Sequence, residues 1–251
     1  MDADRGVRVA VRGIGELMIT AGLVLLLFVA WQLWWTDVEA NRAQEQITDG
    51  LHEEWGDVDE VPPPAEAPPE APAEPVGPPP EVAVPTPGSA FAIVHVPRFG
   101  ADYQARPVVE GTALSLLEDG VGHYPGTALP GQVGNVALAG HRVTYGRPFH
   151  LIAEMEPGDA VVLETEEAWF TYRMRSAKVV LPHRVDVVAP VPEQPGVAPT
   201  ERLLTLTACH PMYSARERYI VYAVFDTWQP KSDGPPASLA TAGGGPTETA
   251  V

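Results

Sequence analysis

The sequence predicts a mostly β domain, an antiparallel barrel or sandwich, carried behind one N-terminal membrane-spanning helix. Three observations lead there. Residues 89–228 hold short runs of β-branched and aromatic residues punctuated by Gly and Pro, the pattern of strands and turns. They show few helical stretches and no strand-helix-strand rhythm, which argues against a parallel doubly wound sheet. Ahead of them, residues 17–36 run for 20 positions without a charge, the length a helix needs to cross a hydrocarbon core of roughly 30 Å.

The elements follow in chain order. Residues 1–16 carry Arg5, Arg8 and Arg12, whereas Asp37 and Glu39 follow the apolar run. The positive-inside rule therefore places 1–16 in the cytoplasm and everything after the span outside. Trp31, Trp34 and Trp35 suit the outer interfacial belt. The run ends in bulky "WQLWW" and lacks a small-x-small cleavage site, so it reads as an uncleaved anchor and not as a signal peptide. Residues 37–88 form an acidic linker, and 61–88 contain 12 prolines in 28 positions. Such a stretch favours extended polyproline II and self-repels, either as a disordered linker or as a stalk holding a domain several tens of Å from the bilayer, at about 3.1 Å per residue.

Within 89–228, strands are expected around 91–96, 135–139, 160–164, 169–180, 203–208 and 218–227. The run "WFTYRMRSAKVV" alternates as a half-exposed strand does, and "YIVYAVF" is apolar enough to be covered on both faces. Short helices are expected near 112–118 and in 148–156. Residues 229–251 are small, polar and glycine-rich, which reads as a disordered tail.

The net charge of −17 is concentrated in the linker, where residues 37–88 hold 13 acids against Arg42 alone. The remainder is close to balanced and offers no basic face, so nucleic acid is excluded as a partner. The acidic stretch 154–167 lacks the spacing of a calcium loop and reads as a solvated strand and turn. One cysteine outside the cytoplasm, Cys209, has no partner for an intramolecular disulfide. It is either a small buried hydrophobe or a reactive thiol.

A thiol nucleophile needs a proton-transfer partner and a positive group for the developing oxyanion. His210 adjoins Cys209, but neighbours in an extended chain point to opposite faces. His52 falls in the linker, and His95, His150 and His183 stand in strand or turn contexts without a second polar signal. His141 differs: "GNVALAGHRVTYGRPF" delivers it from a small-residue strand into a loop bracketed by Gly146 and Pro148, where catalytic residues often sit, although a histidine at a strand end is ordinary.

Three separated motifs now carry a family resemblance: "TLTAC" at 205–209, "AGHRVTYG" at 139–146, and Arg218 nine positions after the cysteine. Together they resemble the sortases, membrane-anchored cysteine transpeptidases of Gram-positive bacteria. The flanking "GVGHYPGTALPGQVGN" and "CHPMYSARERYIV" are most similar to class E, the housekeeping type of high-GC actinobacteria. The resemblance covers roughly residues 90–228 and the anchor topology. It implies a closed barrel of about eight strands, with Cys209 as nucleophile, His141 as proton donor and acceptor, and Arg218 as the cation that positions substrate and stabilises the oxyanion. Arg216 is the understudy for Arg218, two residues away on the same face of a strand that begins early.

The resemblance also implies cleavage between Thr and Gly of a C-terminal sorting motif of the LAxTG or LPxTG type, through an acyl-thioester. The partners are then secreted proteins bearing that signal, and an amine of lipid II or of a peptidoglycan stem peptide as acceptor. No metal or other cofactor is needed for this chemistry. One departure stands out: the family pattern places threonine before the cysteine, and this chain has Ala208. The missing hydroxyl removes a donor expected near the substrate carbonyl, and Thr207 points to the opposite face from position 208. Three rivals remain: a class C-like pilin-polymerising sortase, for which neither an aspartate-proline-aromatic lid nor a C-terminal span is found, a hydrolytic cysteine peptidase, and an idle binding barrel.

Overall fold

The computed structural model describes residues 2–56, 77–101 and 103–240. A helix α1 (Asp2–Trp55) is followed by β1 (Ala90–His95), β2 (Arg106–Glu110), α2 (Leu114–Glu118), β3 (Val121–His123), β4 (Gly134–Ala139), β5 (Ala160–Glu164), β6 (Ala168–Val180), β7 (Arg202–His210) and β8 (Glu217–Pro230). The eight strands close into a barrel in the order β1-β2-β3-β4-β7-β8-β6-β5. Pairing is antiparallel except for β2 with β3 and β4 with β7.

All six expected strands are present within two or three residues of their bounds. β2 and β3 were not expected: "RPVVE" contains a proline, and "VGH" is three residues long with a central glycine. The helix near 112–118 exists as α2, but 148–156 holds only a 3-10 turn at Ile152–Glu154. Side chains alternate along the strands as the pleat requires. Val136, Leu138, Leu204, Leu206, Val221 and Ala223 fill the barrel interior. On the opposite face Ile220 is covered by Val180 and Val187, the latter in the 3-10 turn Val185–Val188. β8 is thus sheltered on both sides there, as its apolar run required.

Three sequence expectations are corrected. The linker does not begin at residue 37, because α1 continues through 37–55, where Ala40, Gln44 and Leu51 are buried. That segment lacks proline and is rich in Glu, Gln and Ala, residues that favour helix. The middle of the linker, residues 57–76, lies outside the described residues, and 77–88 returns to the barrel: the Trp228 indole donates to Gly77 O, and Val82 packs on the core. The tail is ordered as far as Ala240, with β8 reaching Pro230 and a short α3 (Ala237–Ala240) beyond it; residues 241–251 lie outside the described residues.

The third correction concerns the acidic stretch, which is not wholly solvated. Glu164 is 2% exposed and receives His52 of α1 at 3.1 Å, His95 of β1 at 2.6 Å and the Lys231 ammonium. It sits on the β1–β5 seam that closes the barrel, opposite Ile93. Burial pushes the carboxyl up, but the hydrogen bonds and charges of His95 and Lys231 outweigh it, so the net shift is downward.

In α1 one stretch is apolar and long enough to cross a membrane, and none of it is buried against the rest of the chain. Trp31, Trp34 and Trp35 stand exposed at its far end.

Because the Glu164 carboxyl is held below its ordinary value, its stabilising effect is present above the unfolded glutamate value and is lost as pH falls through the folded one. Glu164→Gln should therefore lower unfolding free energy by about 3 kcal/mol at neutral pH, the usual cost of breaking a buried ion pair. The gap between variant and parent should narrow under acid conditions, as measured by denaturant unfolding at the two pH values.

Candidate active site

The site is set by strand register. β7 lies between β4 and β8, with Leu138 opposite Leu206 on one side and Leu206 opposite Val221 on the other. Residues that oppose one another across a sheet share a face, and faces alternate along each strand. Leu204, Leu206 and Ala208 point inward, so Thr205, Thr207 and Cys209 point outward. Cys209 is directly opposite Arg218 of β8.

The parallel ladder between β4 and β7 continues past Ala139, since Gly140 N–H donates to Thr207 O at 3.1 Å. Gly140 is on the inward side: a Cβ there would fall 2.6 Å from the Phe149 ring, itself part of the core. Continued by two residues, the same register sets His141 next to Cys209 at the strand end, on the outer side by alternation. Three neighbouring strands thus bring His141, Cys209 and Arg218 to one face, with the thiol in the middle. That face is covered at its centre, where Asn135 donates to Ala189 O at 3.1 Å, and Cys209 at the strand end is half-buried.

His141 is half-buried, and its Nε2 is buried with no hydrogen-bond partner among the described residues. Burial pushes its pKa down, and the Glu118 carboxylate of α2 partly opposes this. Its ring lies against Tyr145 at 5.0 Å between centroids. Arg218 Nη1 donates to the carbonyls of Ala215 (2.9 Å) and Glu217 (3.0 Å), which ties the guanidinium to the β7–β8 turn. Arg216 is exposed and precedes the first residue of β8. A half-buried imidazole and a guanidinium flanking a thiol on one open face can perform nucleophilic acyl chemistry with proton transfer.

His210 is directed away, as the alternation required: its Nδ1 meets Arg142 at 2.9 Å and its ring lies 5.6 Å from Tyr219. Arg142 went unread in the sequence. At 7% exposure it donates to Cys209 O at 3.3 Å and lies over the Tyr219 ring, anchoring the end of the strand that carries the thiol. Its only sequence signal is its place directly after His141. His123 also went unremarked; it is buried and bound to Glu110, Ala128 O and Thr127, a satisfied core histidine. His95 and His52 belong to the Glu164 cluster, and the His150 imidazole bonds Arg147 O within its own turn.

Position 208 also differs from expectation. Ala208 is 3% exposed inside the barrel core and aligned with Tyr219, so a hydroxyl there would point into the barrel and not toward the open face. Thr207 is the hydroxyl that shares the face of Cys209, and it is engaged with Leu138 O at 3.2 Å and with the Tyr124 hydroxyl at 3.2 Å.

Comparison with known proteins yields a match to the Sortase domain over residues 94–226. The chain is 37% identical to sortase SrtE1 of Streptomyces coelicolor over 93% of its own length, spanning 62% of that relative. It is 35% identical to SrtE2 of the same organism over 85% of its length and 81% of the relative. Among solved structures, sortase E of Streptomyces avermitilis is 42% identical with a TM-score of 0.56, covering 61% of this chain and 99% of that one. The SrtA sortase of Actinomyces oris is 37% identical with a TM-score of 0.61, covering 64% and 92%.

Two outcomes follow from this geometry. Ala208→Thr should destabilise the barrel by about 1–2 kcal/mol through crowding and an added buried hydroxyl, measured by thermal unfolding. In histidine NMR titration, His141 should protonate below the ordinary imidazole value. Glu118→Gln removes the charge that favours imidazolium and should move that titration to still lower pH.

Proposed function

The chain belongs to the sortase family and is similar to its class E members, and on that premise we propose that it is a membrane-anchored cysteine transpeptidase that joins secreted proteins to a cell-wall precursor. The observation that carries the reading is the placement of Cys209 between His141 and Arg218 on the shared outer face of β4, β7 and β8. The apolar stretch of α1 supports anchoring, with 1–16 cytoplasmic and the barrel outside.

The substrate is a C-terminal sorting motif of the LAxTG or LPxTG type. The Cys209 thiolate attacks the threonine carbonyl carbon, and the carbonyl electron pair moves onto oxygen, where the Arg218 guanidinium stabilises the oxyanion. Collapse breaks the carbon–nitrogen bond to glycine while the His141 imidazolium gives its proton to the departing amine. The acyl-thioester that remains is attacked by the amine of a lipid II or peptidoglycan stem peptide. His141 takes the proton from that amine, the new amide forms, and the thiolate is released. The pair must pass through thiolate with imidazolium. Burial of His141 favours the neutral imidazole, the form that accepts the proton in the second step.

The inward position of Ala208 supports an active enzyme over an idle barrel, because the substitution lies away from the open face. The full-length protein in detergent is incubated with leucine-alanine and leucine-proline sorting peptides, with and without an amine acceptor, and the products are identified by mass. Ligation to the amine supports the transpeptidase, and cleavage that ignores the amine identifies a peptidase instead. Cys209→Ala should lower turnover by more than about 10³-fold with the fold retained, and retained activity in that variant would overturn the reading.

A further inference from the structure

We infer that the juxtamembrane half of α1 positions His141, through Gln44 and the Arg106 guanidinium it orients, so that the reactive centre is complete only when the membrane-anchor helix is docked. This rests on the proton-transfer role proposed above for His141. The loop that follows His141, residues 141–149, is closed at its base by Phe149 N–H donating to His141 O at 3.0 Å. At its tip Tyr145, Gly146 and Arg147 are three consecutive residues with positive φ, 53°, 72° and 49°. Two of them carry side chains, and such backbone persists only where its surroundings hold it.

What holds it is α1. Gln44, 1% exposed, donates through Nε2 to Tyr145 O at 3.0 Å and to Glu118 O at 2.9 Å. Its Oε1 accepts from Arg106 Nη1 at 2.9 Å, the same nitrogen donates to Asn41 Oδ1 at 2.8 Å, and Arg106 Nη2 donates to Gly146 O at 2.8 Å. Asp37 accepts from Gly146 N–H at 3.4 Å and pairs with Arg147 at 3.2 Å. The fit admits only glycine at 146, where a Cβ would fall 2.6 Å from Asn41 Oδ1.

These contacts lead directly to the imidazole. Tyr145, fixed by its carbonyl, lies against the His141 ring at a 40° tilt, and the Tyr145 hydroxyl bonds Glu118, whose own carbonyl is held by Gln44. Asp37 is the first residue after the uncharged run 17–36. Gln44 lies seven positions further on, about 10 Å along a helix at 1.5 Å per residue. The catalytic loop is therefore clamped at the end of the apolar stretch, within reach of an acceptor amine carried on a lipid, and a stalk several tens of Å long does not separate them.

The test uses the full chain in detergent. Gln44→Ala and the milder Asn41→Ala are compared with His52→Ala, which loosens the same helix at its Glu164 end, away from the loop. Each variant is assayed for kcat, KM, thermal unfolding and the pH profile of kcat/KM. The Glu118 carboxylate of α2 acts on His141 and Tyr145 of its own loop lies against its ring, while the strand register sets Cys209 of β7 next to it and Arg218 of β8 beyond the thiol. Misplacing the imidazole should lower kcat about tenfold for Gln44→Ala with KM nearly unchanged. Release of His141 toward water should move the acid limb of the profile to higher pH, toward the ordinary imidazole value. Asn41→Ala should do the same to a smaller degree, and His52→Ala should lower stability while leaving both readouts in place. Equal kcat and an unmoved limb in Gln44→Ala and Asn41→Ala would overturn the inference, as would the same kcat loss in His52→Ala, which would reduce the helix to a general support. Loss of turnover in Cys209→Ala run alongside separates failure of this inference from failure of the proposed function.

Discussion

The register of β7 between its two neighbours is the constraint on which the site depends. Because side chains alternate with a period of two, a one-residue slip of β7 against β4 or β8 would turn Cys209 into the barrel and bring Ala208 out. The register is set by burial: Leu204, Leu206 and Ala208 belong to the interior, and a one-residue slip would expose all three. Once that packing is set, Arg218 falls opposite Cys209 and the His141 strand end falls beside it. The hydrophobic core thus specifies the chemistry of the outer face, although no core residue takes part in it.

Polar anchors hold what the core cannot reach. Arg142 secures the carbonyl of Cys209 from the inner side of the strand end, and Arg218 is tied to the turn that precedes β8. Glu164 gathers α1, β1 and the residue after β8 onto the closing seam. At the other end of the docked helix, Gln44 and Arg106 hold the loop that carries His141. Helix α1 is therefore fixed to the barrel at both of these places: one secures closure of the sheet, and the other holds the loop that follows His141.

Much of this was legible in the sequence, for identifiable reasons. Long strands announce themselves through β-branched and aromatic runs, so β6, β7 and β8 were readable, and the spacing from Cys209 to Arg218 reflects a single hairpin. β2 and β3 were not readable, because a five-residue strand with Pro107 and a three-residue strand with Gly122 owe their existence to neighbours and not to local preference. The helical continuation over 37–55 was obscured by charge, since its acids match those of the proline-rich segment while its lack of proline was the better guide. Arg142, Gln44 and Arg106 left no local trace, as their roles come from contacts between residues up to 101 positions apart. Ala208 is hard to read for a related reason: its place next to the thiol says nothing about which face it occupies until the core is known.

The central claim is that Cys209, set between His141 and Arg218, forms a covalent acyl-enzyme. Intact-mass analysis of the full-length protein mixed with a sorting peptide, followed by peptide mapping, tests it most directly. An adduct equal to the peptide acyl fragment ending in threonine is expected, located on Cys209 and discharged when an amine acceptor is added. Peptide cleavage with no adduct on Cys209, or an adduct on another residue, would contradict it.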